Sequence, residues 1–349
     1  MDTLPPPTRA LIPPTAPAAG PGVDGHGNGT ATDGGADVAA LASRLAGTVG
    51  AVVAGQRDTI DVAVATLLSG GHLLVEDIPG VGKTLLAQTL ARAVGGSFHR
   101  IQGTSDLLPG DITGTIVPTG RFDPAGGDSG MTFRPGPVFA NVVVFDELNR
   151  ATPRTQSALL ELAEEATVTV DGEAHRLPDP FMIVATQNPL DAAGTYVLGD
   201  GALDRFRAVV SPGRADADDE LDVITGRRGR SMLDAVQPVV SLDQLVAARA
   251  AVAEIAVSDP VGEYVVGLLR ATREHPRVRV GASTRGGVAL VALARAMAAM
   301  RGRTFVTPDA VATVAVPALA HRLAGTHATV DYGRAAVGDC LAQVTPPTA

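Results

Sequence analysis

Tryptophan is missing from this chain, cysteine occurs once, and aromatic residues make up 3% of its 349 positions. A lone Cys340 excludes an intramolecular disulfide and a thiolate metal cluster. It reads as a small buried or terminal residue rather than a nucleophile. With so few rings, the 45% hydrophobic content must build its core from Ala, Val and Leu. A basic excess is lacking too: 28 Lys and Arg stand against 37 Asp and Glu, a net charge of -9, which argues against a general nucleic-acid binder. No uninterrupted apolar run approaches the ~20 residues that a membrane helix needs. Val288–Met300 comes nearest and contains Arg295. The N-terminus has neither the basic start nor the apolar core of a secretory signal. The expectation is a soluble cytoplasmic protein without a membrane span and without a nucleic-acid partner.

What is present reads as two domains behind a tail. Residues 1–37 hold seven Pro, seven Gly and no aromatic side chain. They cannot bury enough apolar surface to offset their ordering entropy, so a disordered tail is expected. Helical periodicity starts near Val38, breaks at Gly55-Gln56, and resumes with Ile60, Val64, Leu67 and Leu68 up to Gly70-Gly71. Strands are expected at Leu73–Val75, Phe98–Gln102, the apolar part of NVVVFDELN (141–149), Phe181–Ala185 and Ala208–Val210. Helices separate them, which makes residues 38–211 an α/β domain with a five-stranded parallel sheet and helices on both faces. From Asp106 to Asn141, abundant Gly and Pro leave only the β-like pieces Ile112–Val117 and Met131–Phe133, a hairpin insertion. Thr167–Leu177 alternates around Asp171-Gly172, a second hairpin. Past Ser211-Pro212 the strands stop. Helical patterns over Asp218–Arg227, Ser241–Ala256, Val261–Arg273, Arg285–Met300 and Pro308–Leu323 make 212–349 a small all-α domain.

The stretch HLLVEDIPGVGKTL (72–85) organises the chain. A strand, a Gly-containing turn and a helix start form the geometry of a phosphate-binding loop. Gly80 and Gly82 let several backbone N–H groups point at one anion. Lys83 places a cation on the β/γ-phosphates, and the Thr84 hydroxyl ligates magnesium. The usual motif opens with Gly where this chain has Asp77, an acid that looks unfavourable beside a triphosphate. An ordinary strand-to-helix turn is the alternative. Asp146 and Glu147 answer it, because four buried apolar residues lead straight into two carboxylates where ligands sit in parallel sheets. Asp146 is placed to hold Mg²⁺ through water opposite Thr84, and Glu147 to orient the attacking water. Asn188 ends the next strand, within reach of the γ-phosphate or that water. Arg205 and Arg285 are candidate cations, offered by a neighbouring subunit or a moving domain.

In order, EDIPGVGKT, RIQGTSDLLPGDITG, FDELNRATPRTQSALLELAEE, VTVDG, ATQNP, GTYVLGDGALDRF and GASTRG closely resemble the MoxR subfamily of AAA+ ATPases. The resemblance runs from about Val49 to the end. It implies a P-loop NTPase core followed by a helical lid, with nucleotide between them. Gly80, Val81, Gly82, Lys83 and Thr84 match Walker A, flanked in the nucleotide-binding stretch by Asp77, Ile78, Pro79 and Leu85; acid-then-PGxGKT loops occur in that subfamily. Asp146-Glu147 match Walker B, Asn188 sensor 1, Arg205 the arginine finger and Arg285 sensor 2. Gly55 and Gln56 match the segment near the adenine. The resemblance also implies ATP and Mg²⁺, a homo-oligomeric ring (a hexamer), a separate partner with a von Willebrand factor A domain, and a protein client matured or remodelled by ATP hydrolysis. A nucleotide-gated binding scaffold with little hydrolysis is the alternative. Intact Lys83, Asp146, Glu147 and Arg205 weigh against it, and the acidic balance weighs against a DNA-acting motor. Three departures stand out: Gly103 where an aromatic is common, Gly199-Asp200-Gly201 in place of a Pro-Glu-Ala-like run, and Thr284 in place of a frequent Pro. The first two are expected to alter the intersubunit face or the nucleotide response.

Overall fold

Short strands, most of them apolar runs, between amphipathic helices leave one arrangement that buries both: a parallel sheet covered on each face. The computed structural model describes residues 33–77, 80–118, 131–188, 194–325 and 330–348. Helices α1 (Asp33–Val52) and α2 (Arg57–Leu68) lead into β1 (Leu73–Glu76), α3 (Lys83–Ala93) and β2 (Phe98–Gln102). Then come α4 (Pro109–Thr113), β3 (Gly114–Pro118), β4 (Met131–Pro135) and β5 (Val142–Asp146). The segment closes with α5 (Pro153–Glu165), β6 (Thr167–Val170), β7 (Glu173–Arg176), β8 (Met182–Gln187), α6 (Asp200–Leu203) and β9 (Ala208–Val210). Strands β2, β5, β8, β1 and β9 lie side by side in that order, all parallel. The five expected strands are these five.

Side chains alternate across the sheet. Leu73, Val75, Val142 and Val144 join α1, α2 and α3 on one face, while Leu74, Val143 and Phe145 pack with α5 on the other. Thr152 caps α5 by accepting the Thr155 amide, with Pro153 at the first helical position, as the sequence pattern predicts. The β6–β7 turn takes positive φ at both Asp171 (48°) and Gly172 (84°), the backbone that a two-residue hairpin prefers. In the other insertion Ile112 belongs to α4 rather than to a strand, and β3 begins at Gly114. Phe133 of β4 stacks on His175 of β7 at 4.0 Å, so the two hairpins touch.

Beyond β9 the chain is mostly helical: α7 (Ala217–Ile224), α8 (Arg230–Leu233), α9 (Leu242–Ala253), α10 (Asp259–Glu274), then β10 (Val278–Val280), α11 (Thr284–Met300), α12 (Pro308–Leu319), β11 (Ala324–Gly325) and α13 (Val330–Gln343). The antiparallel β10–β11 pair is a departure from the expected all-helical pattern. Helix α13 agrees with an all-helical region but lies beyond the five helical patterns read from the sequence. It buries Ala336, Val337 and Cys340, and burial pushes the Cys340 thiol upward in pKa. Leu45, Val64, Leu290 and Val314 share one continuous apolar cluster: α11 packs against α1 and α2, and α12 against α11 and β9. Helix α1 starts at Asp33, five residues before the periodicity suggests, and the expected tail otherwise lies outside the described residues. No helix among the described residues is long and apolar enough to cross a membrane.

Candidate active site

The C-terminal ends of β1, β5 and β8 converge on one site. Gly80 and Gly82 both adopt positive φ (90° and 83°), which an L side chain resists, and Gly82 caps the start of α3. The Lys83 ammonium donates to the carbonyls of Asp77 and Gln187, the latter at 3.2 Å. It therefore spans β1 and β8. Burial lowers the Lys83 pKa, opposed by Asp77, Asp146 and Glu147. The Thr84 hydroxyl donates to both Asp146 oxygens at 3.0 and 3.1 Å, so the two expected metal ligands face each other. Hard oxygen donors of this kind suit Mg²⁺, which keeps several waters and takes few protein ligands. Val81 and Leu85 flank the loop as half-buried residues, with Leu85 against the core. Ile78 and Pro79 lie outside the described residues.

The Asp77 carboxylate is tied to the segment that follows β9. Its Oδ2 accepts the Ser211 hydroxyl at 2.9 Å and the Gly213 amide at 2.5 Å. The Gly213 carbonyl in turn accepts from Gln56 Nε2 at 3.4 Å. Gly213 thus links the two stretches expected to hold nucleotide. Gly55 has φ of 66°, and a Cβ there would meet Asp219 Oδ2 at 2.7 Å, so this turn also touches α7.

The two acids are held differently. Asp146 is 4% exposed and accepts from Arg100 Nε at 2.6 Å and from the Thr186 hydroxyl at 3.2 Å. Glu147 sits in the left-handed region (φ 56°, ψ 50°), where a non-glycine residue carries strain. Its amide donates to Thr186 Oγ1 at 3.0 Å. Its carboxylate accepts Gln102 Nε2 at 3.0 Å and pairs with Arg150 Nε at 3.0 Å. Gly103 lies under this turn: its amide donates to the Asp146 carbonyl at 2.7 Å, and a Cβ would stand 2.2 Å from the Glu147 carbonyl oxygen. The departure at Gly103 therefore bears on the backbone of the two acids. Asn188 stands one residue past β8, between the loops of β5 and β1, and its carbonyl accepts from Asn149 Nδ2 at 3.2 Å.

Four residues here escape the sequence reading: Arg100, Gln102, Arg150 and Thr186. The register of β2 on β5 pairs Gln102 with Asp146, and Arg100, two residues back, shares its face.

Arg205 and Arg285 are elsewhere. Arg205 precedes β9, and Arg285 lies in the first turn of α11. Both pair with Glu164 at the end of α5, at 3.3 and 2.6 Å, and Arg285 also reaches Asp204 at 3.4 Å. Together with His72 and Arg322 they line a cavity of about 310 Å³ at the N-terminal ends of β1 and β9. His72 accepts the Ile183 amide at Nδ1 (3.0 Å), so its Nε2 carries the proton and donates to the Ala163 carbonyl (2.8 Å). Burial drives its pKa down to about 4. From His72 to Asp77 the extended chain advances roughly 16 Å. The structure thus gathers the expected site residues into two groups at opposite ends of the sheet. Arg205 and Arg285 are not beside their own chain's Lys83.

A family model described as the ATPase family associated with various cellular activities (AAA) matches residues 72–208, and an AAA lid domain model matches residues 270–335. Among curated relatives, the chain is 40% identical to YeaC of Bacillus subtilis over 78% of its own length and 83% of that protein's. It is 37% identical to the chaperone MoxR1 of Mycobacterium tuberculosis, covering 79% of this chain and 74% of the relative. A crystallographically solved Cytophaga hutchinsonii protein superimposes with a TM-score of 0.80 at 32% identity, over 91% of this chain and 98% of that one.

Proposed function

The chain belongs to the MoxR family of AAA+ ATPases, and from that premise we propose that it hydrolyses ATP in a homo-oligomeric ring, a hexamer, to remodel or mature a protein client. The carrying observation is the separation of the site residues. Lys83, Thr84, Asp146 and Glu147 gather at one end of the sheet, while Arg205 and Arg285 share Glu164 at the other. With roughly 16 Å of strand between the two ends, the arginines are too far to serve their own chain's phosphates, so in a ring they serve the next subunit's. Gly80, Gly82 and Lys83 hold the triphosphate, with Gln56 and Gly55 on the adenine side. Thr84 and Asp146 hold Mg²⁺, which when bound neutralises charge on the β- and γ-oxygens. Glu147 orients and polarises water, and Asn188 steadies the water or the γ-phosphate. Arg205 and Arg285 meet the charge developing in a neighbour's transition state. Residues 38–211 act as the nucleotide-binding domain and 212–349 as the lid, whose movement on hydrolysis transmits force. Family membership alone supports the chaperone role, a cytoplasmic location and a separate von Willebrand factor A domain partner.

One observation favours a second reading, the nucleotide-gated scaffold: Gln102 and Arg150 both engage the same Glu147 carboxylate oxygen. Turnover separates the two. With Mg²⁺ present, measurable ATP hydrolysis that vanishes in Glu147→Gln while nucleotide binding survives supports the ATPase. Tight binding with negligible hydrolysis, raised by Gln102→Leu, supports a scaffold awaiting a partner that frees Glu147.

A further inference from the structure

Arg322 follows α12 and has no place in the chemistry above, yet its side chain is 4% exposed and spends every nitrogen on other residues. Its Nε donates to Asp204 Oδ1 at 2.7 Å. Its Nη2 donates to the carbonyls of Asp204 and Phe206, each at 2.9 Å, and its Nη1 to the carbonyl of Ala318. The guanidinium therefore grips the backbone on both sides of Arg205. The neighbouring His321 adds a donor from Nε2 to the same Phe206 carbonyl at 3.1 Å. Burial keeps that imidazole neutral, with a pKa near 3, so it grips as an uncharged donor.

Room for this clasp is made in α11. Gly286, directly after Arg285, faces the Arg322 stem; a Cβ there would meet Cδ at 3.1 Å. In the first turn of α11, this glycine leaves space for a side chain passing beneath. Asp204 divides its carboxylate, Oδ1 to Arg322 and Oδ2 to Arg285. Residues 204–206 are thereby fastened to two parts of the helical region, α11 and the turn after α12, as well as to the sheet.

From this geometry we infer that Arg322 is a positioning residue for Arg205: it fixes the peptide planes on either side of the finger, and it makes the finger follow the lid. The inference rests on the reading that Arg205 serves a neighbouring subunit. Lysine cannot replace it, because one ammonium cannot reach Asp204 Oδ1 and two carbonyls in the guanidinium's fixed fork.

The test uses the full-length protein in assembled form. Arg322→Gln is expected to lower kcat about a hundredfold, the scale of a 1 Å misplacement, with the KM for ATP unchanged. The Arg205→Ala/Arg322→Gln double variant should be no slower than Arg205→Ala, since a finger that is absent cannot be misplaced. Mixing Arg322→Gln with Lys83→Ala should restore turnover, because the Lys83 variant supplies an intact finger to an intact site. If Arg322→Gln does not fold, Arg322→Lys takes its place in the same cycle. Additive losses in the double variant, or no rescue by Lys83→Ala where Arg205→Ala is rescued, would overturn the positioning role alone. Failure of Lys83→Ala to rescue Arg205→Ala in mixtures that co-assemble would overturn the shared-site premise, and this inference with it.

Discussion

Thr186→Val removes one hydroxyl that serves both acids while keeping the shape of the side chain. In the native chain that oxygen donates to Asp146 Oδ1 at 3.2 Å and accepts the Glu147 amide at 3.0 Å, in a residue 2% exposed. A net hydrogen bond contributes about 0.5–1.5 kcal/mol, and one to a charged group about 1.5–3. The pair together is worth roughly 2–4 kcal/mol, comparable to the ~1–3 kcal/mol of strain that holds Glu147 at positive φ. Without that anchor the turn relaxes and the Glu147 carboxylate loses its aim. Even 2 kcal/mol expressed in the transition state is about a thirtyfold fall in kcat. Lys83 is held by the carbonyls of Asp77 and Gln187, which the substitution leaves in place, so nucleotide affinity should change little. Steady-state phosphate release at saturating Mg²⁺, beside nucleotide titration, measures both quantities. Thr186→Ser, which keeps the hydroxyl, should retain most activity. A kcat for Thr186→Val within twofold of the native value would refute the reasoning.

Arg100→Met removes the cation 2.6 Å from Asp146 and should lower the Mg²⁺ concentration for half-maximal turnover by about two- to tenfold, since one partner of the pair is solvated; a magnesium titration reads it. Gly103→Ala places a Cβ 2.2 Å from the Glu147 carbonyl oxygen, so it should cost about 1–3 kcal/mol of stability and reduce kcat, read by thermal unfolding and phosphate release. Acid should destabilise the fold through His72 and His321, whose folded pKa values of about 4 and about 3 lie below the ordinary 6.5. The unfolded chain binds protons first, so this stability is full above about pH 6.5 and is lost toward pH 4 for His72 and pH 3 for His321. Melting temperature followed from pH 7 to 4 should fall, less steeply in His72→Asn.

Much of this was legible in order along the chain, because the phosphate loop and the acid pair are local patterns: a buried strand, then a turn, then Lys83-Thr84 or Asp146-Glu147. Four of the five strands were equally visible, since an apolar run between helices has few other fates; β2 offers only Phe98 and Ile101 among polar residues. Asp77 was visible but not intelligible. Its carboxylate answers to Ser211 and Gly213, more than a hundred residues away, and only the approach of β9 to β1 brings them within reach. Arg100, Gln102 and Thr186 read as ordinary polar positions until the sheet order sets β5 between β2 and β8. Helix α13 was missed because Gly333 and Gly338 break its periodicity; Gly333 is there because a Cβ would stand 2.2 Å from the Ala320 carbonyl oxygen. Arg322 carries no local signal at all. Its partners at Asp204 and Phe206 come together only when the helices after β9 fold back on the sheet.

Mixing Lys83→Ala with Arg205→Ala protein, each nearly inactive alone, puts the shared site to the most direct test. One variant keeps its finger and the other its phosphate loop, so a ring containing both should regain ATP turnover in proportion to the mixed interfaces. Turnover no greater than the sum of the separate variants, in mixtures shown to co-assemble, would contradict the account.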